Sequence, residues 1–565
     1  MFSPRHAAFL VPLFVLTALS APRSRAEPPR ASTFARGSDA DPKRPSPVAH
    51  AALIPARIRR LSNAEYGASV AAVLGSRAQE PRASAASGVS ASELAGNLAP
   101  DARQDGFTVN DGQRVDAVLA KQLYKAAERL GTLATTRVTT LAPCTNLAAA
   151  ERCARAFIAD FAARAYRRPL RAAESTGLFD VYQVGAEDGG YAAGIGLVVQ
   201  AVVQSAGFLY LTELGDALPS KSEQVVLTAD ETASALSFLF TGAPPDAALR
   251  EAAESGVLAS AAGRVAQARR LRRQHPGSEQ RLVRMVHEWL ELDKLESVAK
   301  DTQVYPRFQD LKPEMLRENR AFVAAVLADD AAGSNDLTEL IGANWTVAGP
   351  RLTQLYRGQA RADGRVLVPA RLGLLNRAGF LSVQAHAHES TPVLRGVRVA
   401  KRLACQAIPS PSAVKIEVVA PVPDPKLTTR ERFAAHAGSG LCVTCHQTID
   451  GVGNAFEQFD GMGAHRTREN GRPVDSTTTI ALDDTLSGDF ADSNALALAL
   501  ASSTSVRECF ARHMFRAVAA RSSADAENAF VEHWSTVPEE KKGNLMDILL
   551  SFVESPLFTQ RRVSP

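Results

Sequence analysis

The stretch RRLSNAEYGASVAAVLG, residues 59–75, sets the pattern from which the fold can be read. Ser62 and Glu65 stand three apart. At that spacing a hydroxyl caps the amide of the third helical residue, and the carboxylate returns to the cap's own amide. Tyr66, Val70, Val73 and Leu74 follow at i, i+4, i+7 and i+8, which lines one helix face. Gly75 then reads as a stop. The same pattern recurs along the chain. A helical stretch covers roughly 113–131. Ala154, Phe157, Ile158, Phe161 and Ala165 form a stripe that ends at Tyr166-Arg167-Arg168-Pro169, because Pro169 disfavours helical backbone before it. YAAGIGLVVQAVVQSAGFLYLTE (191–213) reads as a buried apolar helix, and Thr228 opens another running to about Phe240. Leu282, Val286, Trp289 and Leu290 repeat the spacing, as do Met546, Leu549, Leu550 and Val553. Few segments alternate with period two, and no strict repeat is present. The fold class is mainly α, in a multi-domain helical architecture.

The bulk numbers agree with a globular chain. The 565 residues suggest several folding units, and 45% hydrophobic with 22% charged residues allows a real core. Sixty-four basic residues nearly balance 60 acidic ones, for a net charge of +4. No long basic run is present, so nothing points to a nucleic-acid partner.

The N-terminus reads as an export signal. Arg5 and His6 precede an apolar run from about Ala7 to Ala21, with cleavage near Ser20–Ala21 or after Ala26. The run is short for a bilayer, and Pro12 interrupts it. No later segment offers a membrane span, so the mature protein is expected to be soluble and periplasmic or secreted. The expected order is a signal peptide (1–26), a disordered linker (27–55), N-terminal helical domains (56–215) and a central helical domain (222–365). A haem-motif domain (366–485) and a C-terminal helical domain (486–565) follow. Residues 76–100 read as a loop, and the proline-rich 406–431 as an extended linker.

The segment with chemistry is GSGLCVTCHQTIDGVGNAFEQFDGMGAHR, 438–466. Cys442, Cys445 and His446 make C-x-x-C-H, the attachment pattern of a c-type haem. Two thiols three apart on a helical turn reach the two vinyl groups of one haem, and the adjacent histidine binds the iron from below. This predicts one covalent haem c, with His446 as proximal ligand, in a C-terminal cytochrome c-like segment. The alternatives are a Cys442–Cys445 disulfide, a thioredoxin-like pair or half of a zinc site. A thioredoxin-like pair expects a βαβ setting, and zinc expects about four ligands. The sixth iron ligand stays open among Met462, His465 and Met514, with His513, His386 and His388 further off. Arg395 and Arg466 suit haem propionates or ordinary salt bridges. Asp450, Glu457 and Asp460 suit an acidic patch or helix and turn positions. His386, His388, Glu389 and Ser390 suggest a metal or nucleophile site, and read more simply as a loop entering a helix near Val393. With the motif cysteines set aside, Cys144 and Cys153 are neighbours that can close a short loop, which leaves Cys405 with Cys509; parity alone allows other pairings.

These stretches resemble the planctomycete-type secreted cytochrome-like proteins, which are built from serial domains of unknown function. The resemblance runs from about Arg59 to Phe552. It rests on 59–75, DGFTVN (105–110), CARAFIADFAARAYRRPL (153–170), QSAGFLYLTE (204–213) and LTADETASALSFLFTGAPPDAAL (227–249). It continues through HEWLELDKL (287–295), RAGFLSVQAHAHESTPVLRGVRVAKRLAC (377–405), 442–466 and CFARHMFRAVAAR (509–521). It implies secretion and a haem-type site at Cys442, Cys445 and His446, and supplies no substrate. Gly451 departs from the family's proline, Ala517 and Ala520 from its tyrosine and glycine, and Met462 from its usual apolar residue.

Three functions follow from these residues. The first is periplasmic electron transfer by a monohaem c-type cytochrome-like protein with a redox partner protein. The second is a haem-dependent redox enzyme; no G-x-G-x-x-G fingerprint or second haem motif accompanies the first. The third is a secreted, disulfide-stapled surface or carbohydrate-binding protein without haem. The helical region upstream is larger than a haem carrier needs, which favours a docking or binding role beside the haem.

Overall fold

A computed structural model describes residues 50–75, 96–216, 223–328, 336–409, 413, 421–422, 424–437, 442–521, 523–539 and 542–563. The expected signal peptide, residues 27–49 of the expected linker, residues 76–95 of the first loop and residues 410–412, 414–420 and 423 of the expected 406–431 linker lie outside them. Within them the protein is mainly α, with a few short strands.

Local chemistry starts and stops the helices as their sequences suggest. Ser62 accepts from the Glu65 amide at 3.2 Å, and the Glu65 carboxylate accepts from the Ser62 amide at 2.9 Å, opening the helix Asn63–Leu74. Arg59 grips the same carboxylate through two bonds of 2.8 and 2.9 Å. Thr228 and Glu231 repeat the box at the helix Ala229–Thr241. The helix Ala150–Tyr166 ends at Arg167 in the left-handed region, φ 61°. The Arg167 guanidinium donates to the carbonyls of Ala165, Gly207, Phe208 and Tyr210, satisfying a chain turn that has no regular partner.

The helices Ala117–Thr136, Ala150–Tyr166 and Ala172–Val203 pack together and bury an apolar cluster that takes in Tyr66, Phe161 and Val199. The apolar run 191–213 is not one helix. Helix ends at Val203, a short turn Ala206–Leu209 follows, and Tyr210–Glu213 is a strand antiparallel to Arg57–Arg60. The reason is the distant partner strand, which supplies ladder bonds that a continued helix would forgo.

A second, larger cluster gathers residues from Leu53 to Phe558. It joins the helices Ala229–Thr241, Gly277–Leu290, Pro392–Leu403, Thr504–Ala519 and Leu545–Glu554. Leu53 and Ile54, at the edge of the expected linker, are already buried in it. The fold therefore begins a few residues before position 55. A third cluster holds Tyr305, Phe308, Met315, Tyr356 and Met462. The C-terminal strand meets the start of the described region: Gln560–Arg562 pairs with Gln224–Val226, and Arg562 bridges Pro55. Arg57 and Arg561 both bind Glu213. Cys144 is bonded to Cys153 and Cys405 to Cys509, in the arrangement the sequence allows. Among the described residues no helix is long and apolar enough to cross a membrane.

Candidate functional site

Cys442 and Cys445 lie on the first turn of the helix Cys442–Asn454, and His446 follows on the next. The two thiols themselves fall outside the described side chains. This motif helix is seated between the helix Pro392–Leu403 and the strand Thr478–Ala481. Two glycines fix the crossing. A Cβ on Gly396 would lie 2.0 Å from the Ile449 carbonyl oxygen, and one on Gly453 would lie 2.0 Å from that of Pro392. Backbone meets backbone there, so only glycine fits.

His446 is half-buried. Its Nδ1 lies 2.9 Å from an Asp450 carboxylate oxygen one helical turn on. The hydrogen bond that His446 donates to Asp450, and then the Asp450 charge, raise the His446 pKa above 6.5 against partial burial. A carboxylate on one ring nitrogen fixes which nitrogen carries the proton and turns the other toward a ligand. The C-x-x-C-H residues, with Asp450 behind the imidazole, thus fit a haem c as a donor set.

The charged residues that flank the motif helix serve the fold. Arg395 is fully buried and donates to the carbonyls of Phe456, Phe459 and Asp460 at 2.7–3.0 Å. Arg466 binds Glu457 at 2.8 Å, the Ser390 hydroxyl at 2.9 Å and Glu469 at 2.8 Å. Both arginines are engaged internally, which favours the salt-bridge reading over propionates. Asp450, Glu457 and Asp460 form no common patch. Glu457 is buried, and Asp460 accepts from the amides of Met462 and Ala464 in the following turn.

The candidate sixth ligands sit in different surroundings. Met462 packs in the cluster around Tyr305 and Tyr356. The His465 ring stands edge-on to Phe459. Met514 is fully buried in the large core. His513 is buried beside the Cys405–Cys509 disulfide, its Nε2 3.1 Å from the Lys401 carbonyl oxygen. Cys405, Cys509 and His513 are clustered closely enough to hold a metal, but the two sulfurs are bonded to each other. His386 and His388 sit on a loop with Glu389, against the Arg432 side chain.

Sequence reasoning missed the buried cations around this segment. Arg371 donates to the Gly463 carbonyl at 2.6 Å and lies between the Tyr356 and Phe459 rings. Arg377 donates to the carbonyls of Arg371 and Trp345 at 2.7 Å. Lys300 donates to those of Ala385 and His386. The available signal was an arginine inside an apolar run, as in LGLLNRAGFL (372–381).

This is the architecture of a disulfide-bonded helical chain of serial domains, with a C-x-x-C-H helix in its C-terminal part. Four families match it in chain order, all described as proteins of unknown function. Residues 59–136 match PSD3 (DUF1587), 153–213 PSD5 (DUF1595), 227–357 PSD4 (DUF1592) and 371–469 PSCyt3 (DUF1588). The chain thus carries four serial planctomycete-type domains, and the motif helix falls within the last. No curated protein and no solved structure matches it.

Proposed function

We propose that this is an exported c-type cytochrome-like protein that holds one covalent haem through Cys442, Cys445 and His446 and passes single electrons outside the cytoplasm. The observation that carries the reading is the contact between His446 Nδ1 and Asp450, one turn along the helix that opens with C-x-x-C. Asp450 orients the imidazole and raises its basicity, and Nε2 would be the nitrogen that meets iron. The two thiols would anchor the group covalently, and the glycine-fixed crossing with Pro392–Leu403 would hold the helix rigid around it. Bound haem supplies a one-electron iron couple whose potential follows axial ligation and burial. The PSCyt3 match across the motif, and two disulfides suited to an oxidising compartment, support the same reading.

A haem-free, disulfide-stapled binding protein is the second reading. The other four cysteines pair among themselves, which would leave Cys442 and Cys445 for each other. Export in a host with c-type maturation, followed by denaturing electrophoresis and haem staining, separates the two. The first reading expects a stained band that disappears in Cys442→Ala/Cys445→Ala. The second expects no stain from the parent protein.

A further inference from the structure

The loop before the helix Pro392–Leu403 is fastened from beneath. Ala385 and Ser390 form an antiparallel bridge. The buried Lys300 ammonium donates to the carbonyls of Ala385 at 3.0 Å and His386 at 2.6 Å, and the Asp301 amide to that of Ala387 at 2.9 Å. The His386 amide donates to the Thr391 hydroxyl at 3.3 Å. On this fixed backbone, the His386 and His388 side chains are 42% and 51% exposed, whereas that of Glu389 is 11%. His386 Nδ1 lies 3.7 Å, and His388 Nε2 3.5 Å, from the same Glu389 oxygen, Oε1. Arg432 takes the other oxygen at 2.6 Å.

The geometry points to a metal site in which His386, His388 and Glu389 bind one divalent transition-metal ion of the zinc or copper type, with its remaining positions open to water. Imidazole nitrogens and a carboxylate are donors that such ions take. A tetrahedral ion with bonds of about 2.0–2.2 Å sets its ligand atoms about 3.4 Å apart. Both histidine–glutamate separations are within a few tenths of an ångström of that edge. The two imidazole centroids are 6.4 Å apart, so the third edge is open in this structure and binding would draw the two exposed rings together. The site uses none of Cys442, Cys445 or His446 and does not depend on the haem reading. It lies on the same packing unit: Pro392, just after the loop, meets Gly453, seven residues and about 10 Å of helix beyond His446.

The test uses tag-free full-length protein, stripped with chelator and titrated with Cu²⁺ followed by electron paramagnetic resonance, and with Zn²⁺ in equilibrium dialysis. The expected result is one ion per chain with imidazole nitrogen coupling. His386→Ala and His388→Ala should each weaken binding about tenfold or more, while Cys442→Ala/Cys445→Ala leaves it unchanged. The imidazoles are exposed, so both histidine variants should keep the parent's circular dichroism and melting temperature. No stoichiometric ion would overturn the proposal and leave two imidazoles merely pairing with Glu389. Undiminished binding in the His386→Ala/His388→Ala double variant would also overturn it.

Discussion

Asp450 is the residue on which the behaviour of His446 turns. In haem-free protein its hydrogen bond holds the imidazole pKa above 6.5. Asp450→Asn is therefore expected to lower that pKa, read by proton NMR titration of the ring; an unmoved titration would remove Asp450 from the site. A second titration reports on the fold. Burial would raise the Glu65 carboxyl, but the charge and hydrogen bonds of Arg59 bring it to about 2. The folded value lies below the ordinary 4.5, so this pair's stabilisation is present above pH 4.5 and lost as pH falls toward 2. Glu65→Gln should flatten that part of the acid-unfolding curve. Lys300 runs in the same sense with the opposite charge. Burial lowers it from 10.5 to about 7, so its contribution to stability grows as pH rises from 7 to 10.5, where the unfolded chain holds the extra proton. Lys300→Met should abolish that slope in chemical denaturation. Capping boxes and C-x-x-C-H are legible in sequence because they depend on spacings of three or four. Arg371, which reaches Gly463 across 92 positions, has no local signature.

At the scale of elements, the motif helix depends on the Gly396 and Gly453 contacts. Gly453→Ala places a methyl against the Pro392 carbonyl, and overpacking of this kind costs about 1–3 kcal/mol or more. The expected outcome is a lower melting temperature and lower haem retention; a variant as stable as the parent would mean that the two helices are not so closely packed. Helices with one apolar stripe were readable from period alone, including Asn63–Leu74, Ala229–Thr241 and Gly277–Leu290. The end of the 191–213 run was not. Its last four residues pair with Arg57–Arg60, some 150 positions earlier, and apolar residues in a short run suit strand and helix alike.

The largest apolar cluster among the described residues runs from Leu53 to Phe558, crossing the domain boundaries suggested by sequence, beside two smaller ones. Packing between these segments was not legible, since periodicity says which face is apolar but not what covers it. The Cys405–Cys509 bridge closes a separation of 104 residues and Cys144–Cys153 one of 9. Loop-closure entropy makes them worth about 4.7 and about 2.6 kcal/mol. Cys405→Ala/Cys509→Ala should therefore lower unfolding free energy by more than Cys144→Ala/Cys153→Ala does, in denaturant titrations followed by circular dichroism.

The most direct measurement is the number of covalent haems per chain, from the reduced pyridine spectrum of denatured protein exported with c-type maturation. The account predicts one haem per chain, lost when Cys442 and Cys445 are replaced by alanine. Protein recovered without haem under those conditions, with Cys442 and Cys445 bridged to each other, would contradict it.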